Sequence, residues 1–229
     1  MHEPTRARNA LRPATDTSGR PPCSKDAFEF SSRAVVCQDT DIRGAVTIGP
    51  GTIVHPKATI FAVNGPIRIG SCNIIEEQAV IVNRQREPLM IGDLNLLAVA
   101  SRIEASSVGD FNTFGPKSSV PATMRITNCC SLGAGVALLP AVDADLALAG
   151  DSDPADRTDP EKEPSETLEP YTALWLSDDG QAIGGARIVK RRVWDGKGEE
   201  AERDLRMKQV MYLKDVRPTC TPVGPLGAR

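Results

Sequence analysis

From Val36 onward an aliphatic residue recurs at every sixth position for about a hundred residues. One phase runs Val36, Ile42, Ile48, Val54 and Ile60, and after a short insertion continues through Ile69, Ile75 and Ile81. A second insertion precedes Ile91, Leu97 and Ile103. The last stretch starts one residue early and runs Val108, Phe114, Val120, Ile126, Leu132 and Leu138. Four positions after these residues stand small or compact ones: Val46, Thr52, Ala58, Asn73, Ala79, Asn95, Ser101, Asn112, Ser118 and Cys130.

Neither a helix, with its 3.6-residue period, nor a long strand, with its period of two, produces a step of six. Three short strands per turn do, so each coil takes about 18 residues and stacks on the next through parallel hydrogen bonds. The spacing predicts an all-β parallel β-helix over 34–140, with aliphatics in one interior ladder and small residues in another. Stacked Asn amides are expected to bond one another along the axis. Gly or an acidic residue often follows the aliphatic, as at Ile48-Gly49, Ile69-Gly70, Ile75-Glu76, Ile91-Gly92 and Val108-Gly109. Such residues mark corners, because glycine accepts the backbone angles of a tight bend.

An interior ladder has no room for extra residues. Asn64-Gly65-Pro66 and the Asn83 to Pro88 stretch must therefore bulge outward, presenting Arg84 and Arg86 as candidate partner contacts. Residues 1–33 read as a disordered tail, with Phe28 and Phe30 placed to cap the first coil. Residues 151–170, dominated by acidic residues and proline, read as a disordered insertion. Terminal strands and loops follow over 171–198 and include the basic Lys190-Arg191-Arg192 cluster. An α-helix is expected over 199–215, acidic at its start, with Met207, Val210 and Met211 on one face for docking. The tail from 216 to 229 is broken by Pro218, Pro222 and Pro225.

Aromatic residues make up only 4% of the 229-residue chain, which suits repetitive stacking of Val, Ile and Leu. A formal charge of −3 supplies no basic field toward nucleic acid or anionic membrane. No apolar run approaches the roughly 20 residues of a spanning helix, and the first 33 residues lack a signal-peptide core, which makes cytosol the expected compartment. The six cysteines show no CxxC pair and are read as reduced thiols.

Chemistry is limited by histidine, of which the chain has His2 and His55 alone. A zinc site built on three histidines per centre is out of reach, and neither metal nor cofactor is expected. An acyltransferase general base could only be His55, which follows inward Val54 and so points outward as a solvated corner residue. Glu76 and Glu77, adjacent on a strand, project to different faces and cannot share a proton. The glycines follow the six-residue step and form no phosphate-cradling loop. Thr221-Pro222 is a candidate phosphorylation site for a proline-directed kinase.

The hexapeptide pattern resembles the left-handed parallel β-helix family, and that resemblance, not the spacing, implies the hand. More closely, Ile42-Arg43-Gly44, Val46-Thr47-Ile48-Gly49-Pro50 and Val54-His55-Pro56-Lys57-Ala58 resemble the β-helical subunits of the dynactin pointed-end complex. Gly65-Pro66-Ile67, Ile69-Gly70 and Asn73-Ile74-Ile75-Glu76-Glu77-Gln78-Ala79, followed by Ile81 and Asn83, continue the likeness. From Met90 to Pro140 it persists mainly as repeat phase, and the long N-terminal tail and acidic insertion depart from it. The resemblance implies a noncatalytic assembly subunit in the cytoplasm, associated with the cytoskeleton and serving dynein–dynactin transport. It would pair with the related β-helix of dynactin subunit 5, alongside dynactin subunit 4 and the actin-related pointed-end protein. The runner-up is a hexapeptide acyltransferase using His55.

Overall fold

A computed structural model describes residues 28–31, 33–138, 166–177 and 189–216. Strands of two to five residues follow one another around three faces of a parallel solenoid. The first face joins β1 (Phe28–Phe30), β4 (Val46–Ile48), β7 (Ile67–Ile69), β10 (Leu89–Ile91), β13 (Ser107–Val108), β16 (Met124–Ile126) and β18 (Glu166–Leu168). The second joins β2 (Val35–Val36), β5 (Ile53–Val54), β8 (Ile74–Ile75), β11 (Leu96–Leu97), β14 (Thr113–Phe114), β17 (Ser131–Leu132), β19 (Thr172–Leu176) and β20 (Val189–Val193). The third holds β3 (Asp41–Arg43), β6 (Thr59–Ala62), β9 (Val80–Asn83), β12 (Arg102–Ile103) and β15 (Ser119–Val120). All pairings are parallel except β19 with β20, a hairpin at the C-terminal end.

The register places like over like. Ile48 aligns with Ile69 and Ile69 with Ile91, while Val54 aligns with Ile75 and Ile75 with Leu97. These residues and Phe114 are buried in one continuous core. The compact residues four positions on are buried too, from Thr52 through Asn73, Asn95 and Asn112 to Cys130. Their bonding differs from the expected amide-to-amide ladder. Asn73 Oδ1 accepts the backbone N–H of Asn95, Asn95 Oδ1 that of Asn112, and Asn112 Oδ1 that of Cys130, at 2.7–2.8 Å. A corner N–H turned inward has no strand partner, so the side chain one rung earlier supplies the acceptor.

A second ladder runs outside the corner in the opposite sense. Ser71 N–H donates to Asp93 Oδ1, Asp93 N–H to Asp110 Oδ1 and Asp110 N–H to Asn128 Oδ1, at 2.5–2.8 Å. The glycines at Gly70, Gly92 and Gly109 follow from it, because a Cβ there would collide with those same carboxylate and amide oxygens. Next in the chain come Cys72, Leu94, Phe111, Cys129 and Tyr171, all with φ between 55° and 58°. That left-handed conformation is costly for residues with a Cβ. Here it turns each N–H onto the preceding rung, as when Phe111 N–H donates to Asp93 O at 2.8 Å.

The ends correct two expectations. Phe28–Phe30 pairs in register with β4 and opens the first coil as a strand, where a cap had been expected. Glu166–Leu168, inside the stretch read as an acidic disordered insertion, is β18, with Leu168 stacked on Ile126. Residues 1–27 and 139–165, which carry the rest of those two readings, lie outside the described residues.

Candidate functional site

The helix α1 (Glu199–Val216) returns along the solenoid and covers the corner between the first and second faces. At about 1.5 Å per residue its 18 residues reach about 27 Å. The corner ladder from Tyr171 through Cys129, Phe111, Leu94 and Cys72 to Gly51 spans five steps of about 4.8 Å, or about 24 Å. The helix is thus matched in length to the groove it fills.

The contacts follow that order. Near the helix start, Glu199 accepts from Tyr171 Oη at 3.0 Å and from Arg203 Nε at 2.8 Å, and the Cys129 thiol donates to it at 3.6 Å. The Arg203 and Arg206 guanidiniums lie 4.8 and 5.6 Å from the centre of the Phe111 ring. Arg206 also donates to Leu94 O at 3.3 Å and to Thr113 Oγ1 at 3.0 Å. Farther along, Val210 packs on outward Ile53 and Ile74, flanked by Val35, Cys72, Leu96 and Leu213. These outward aliphatics explain why one face needs a cover.

The docking network shifts its own protonation equilibria. The Tyr171 hydrogen bond, and then Arg203, hold the Glu199 carboxyl below the usual carboxylate range. Tyr171 is pushed up, chiefly because its hydroxyl donates to Glu199. Burial, then the Glu199 charge, raises the Cys129 thiol. Arg206 is pulled down by desolvation.

The residues singled out from sequence fall on separate parts of the surface. Arg84 and Arg86 sit on the loop between β9 and β10, where Asn64 Nδ2 donates to Arg84 O at 2.6 Å and Gln85 Nε2 donates to Ala122 O at 2.8 Å. Arg84 also pairs with Glu104 at 3.6 Å. Lys190, Arg191 and Arg192 lie exposed on β20, with Arg191 bonded to Glu169 at 2.9 Å. On α1 the expected common face divides. Val210 is 1% exposed against the solenoid, while Met207 and Met211 are 37% and 62% exposed. Val210 therefore serves an internal interface, and the buried stripe is completed by Arg203, Arg206 and Leu213. The charge of the arginines hides their packing role in the sequence; Phe111, a large ring at a corner, is the available signal. Thr221 lies outside the described residues.

His55 departs from expectation as well. Its ring is 4% exposed, with Nδ1 2.9 Å from Glu77 Oε1 one rung on. Nε2 is sealed from solvent and has no hydrogen-bond partner among the described residues. Glu76 goes elsewhere, accepting from the Val99 N–H at 3.0 Å, so the two carboxylates part as their adjacency predicted. Among the described residues no group of three His, Cys, Asp or Glu could hold a metal ion. Cys72, Cys129 and Cys130 are free, whereas Cys37 is disulfide-bonded. The reading of all six as reduced thiols fails there, since sequence spacing gave no sign of a pair brought together by the fold. No described helix is long and apolar enough to cross a membrane.

No protein-family model matches the chain. It is 40% identical over 119 residues to dynactin subunit 6 of Danio rerio, covering 47% of this chain and 61% of that one. It is 38% identical over 129 residues to dynactin subunit 6 of Xenopus tropicalis, covering 52% and 64%. The chain thus spans rather less than two thirds of the length of these curated relatives. In structure it resembles a hexapeptide transferase family protein from Anaplasma phagocytophilum, with a TM-score of 0.60, 13% identity, and coverage of 83% of this chain and 93% of that one. The molecule is a left-handed hexapeptide-repeat β-helix with an α-helix along its side, and its curated homologues are dynactin subunit 6 proteins.

Proposed function

We propose that this chain is a noncatalytic dynactin subunit at the pointed end, where it joins dynactin subunit 5, dynactin subunit 4 and the actin-related pointed-end protein. Its work is binding, in the cytoplasm and on the cytoskeleton, in support of dynein–dynactin transport. The identity of about 40% to dynactin subunit 6 carries this reading. Stacked flat faces suit it physically, since a solenoid offers rigid, extended surfaces to partners. Met207, Met211, Arg84, Arg86 and the Lys190 to Arg192 cluster are the side chains exposed for such contacts. Co-purification tests it: the chain mixed with dynactin subunit 5 is expected to elute as one complex from a sizing column. Separate elution of the two would argue against the pairing.

One observation favours a second reading, an acyltransferase. The His55–Glu77 pair has the make-up of a general base with its orienting carboxylate. Yet Nε2, the atom that would take the acceptor's proton, is closed off from solvent. Acyl-CoA consumption that disappears in His55→Ala would favour the enzyme; its absence from the unaltered chain favours the subunit.

A further inference from the structure

The three faces of the solenoid are not equivalent on the outside. On the second, outward Ile53 and Ile74 are covered by α1. On the first, the middle outward positions align as Glu29, Thr47, Arg68, Met90, Ser107, Arg125 and Thr167, a column with one acid at its end and two arginines farther along. Two copies meeting there about a two-fold axis along the solenoid would set Arg68 against Arg68, and an axis across the strands through Met90 would match no acid with a base. The third face differs, because its outward residues form two columns. In register these are Asp41, Thr59, Val80, Arg102 and Ser119 on one side and Arg43, Phe61 and Val82 on the other. Glu104, just past Ile103, continues the second column, and Pro121, just past Val120, ends it.

The charges sit on the first and fourth of the five rungs with opposite order, acid then base in the first column and base then acid in the second. Within one chain Asp41 and Arg43 form a two-pronged pair at 2.9 Å, and Glu104 pairs with Arg102 and Arg84. Between the charged rungs lie half-buried Thr59, Phe61 and Val80, with Val82 itself buried and the Arg43 guanidinium 5.0 Å from the Phe61 ring centre. A two-fold axis in the plane of this face matches acid with base whichever way it runs. Across the strands it brings Asp41 opposite Arg102 and Arg43 opposite Glu104 of the second copy. Along the solenoid it brings Asp41 opposite Arg43 and Arg102 opposite Glu104. In both cases the apolar centres meet.

We infer that the face built by β3, β6, β9, β12 and β15 docks a second copy of this chain in an isologous, two-fold dimer. This holds whether or not the chain also joins a dynactin complex. The face is about 20 Å tall at about 4.8 Å per strand and no more than about 13 Å wide at about 3.3 Å per residue, which is well under the roughly 800 Å² per partner of a stable interface, so the dimer is weak and concentration-dependent. Its charges supply register and selectivity more than affinity.

Sedimentation velocity on the full chain, from about 1 to 300 μM, is expected to show a reversible monomer–dimer equilibrium. Asp41→Arg, on an exposed side chain, is expected to raise the dissociation constant at least about tenfold while the far-ultraviolet circular dichroism stays unchanged. Adding Arg102→Asp restores the dimer if the two solenoids run antiparallel, and adding Arg43→Asp restores it if they run parallel. A chain that stays monomeric throughout, or forms trimers, overturns the inference. So does a dimer that Asp41→Arg leaves unweakened, or that neither second substitution restores.

Discussion

Asn95 donates its backbone N–H to Asn73 Oδ1, 2.8 Å away and one rung earlier, and its own Oδ1 accepts the N–H of Asn112 at 2.8 Å. Each inward corner is thus tied to the next by one side-chain oxygen. The residue type is set by the backbone group that needs an acceptor. Replacing Asn95 by Leu keeps the volume but leaves the Asn112 N–H buried without its acceptor. The expected cost is about 2 kcal/mol, read as a lower urea midpoint at unchanged slope. An unchanged midpoint would show that the ladder contributes nothing to stability.

The outer ladder makes a sharper demand on Gly92. A Cβ there would collide with Asp110 Oδ1 and lie 2.8 Å from the Gly109 backbone. Gly92→Ala is therefore expected to destabilise the solenoid by about 2 kcal/mol or more, although alanine ordinarily stabilises a chain through its unfolded state. Thermal unfolding checks it, and a melting temperature equal to or above that of the parent chain would contradict the account.

The helix can be loosened without disturbing the solenoid. Val210→Asp places a charge against Ile53 and Ile74, and opening of α1 should rise roughly thirtyfold for about 2 kcal/mol lost. Hydrogen exchange in 199–216 should accelerate while that in the β-strands stays slow. Met211→Asp, on the exposed side, is expected to leave both rates unchanged; acceleration there would mean that the buried stripe is misplaced.

Helix docking also depends on pH, with a sign fixed by the groups at its start. Glu199 has a depressed pKa when docked, so its contribution is complete above the ordinary carboxylate range and fades as pH falls through the lowered value. Tyr171 and Cys129 are raised, so their contributions are complete below their ordinary values of 10.0 and 9.0 and are lost as pH climbs through the raised ones. Exchange protection of α1 should be flat near neutrality and fall at both extremes. Glu199→Gln should flatten the acid limb, and an acid limb that survives this change would assign it to other groups.

The architecture was legible because a six-residue step in Ile, Val and Leu has one economical packing, and residues such as Ile48, Ile69 and Ile91 stack as that step required. The surface was harder to read. His55 was given to solvent because it follows an inward residue, but the bond to Glu77 crosses rungs and is invisible along the chain. Val210 was grouped with Met207 and Met211 by hydrophobicity, whereas the buried stripe pairs it with Arg203 and Arg206, whose guanidiniums bond and stack on the corner. Glu166–Leu168 is hidden in an acidic stretch because two exposed polar residues and one buried Leu168 suffice for a closing rung. Periodicity reports what faces the core, and contacts between coils depend on three-dimensional neighbours that no local pattern encodes.

The assembly role is tested most directly by affinity capture of the tagged full-length chain from cytosol of its own source, followed by quantitative mass spectrometry. Dynactin subunits recovered in near-stoichiometric amounts, with dynactin subunit 5 among them and unaffected by His55→Ala, are the expected result. Recovery of the chain as a free homotrimer carrying no dynactin subunit would contradict it.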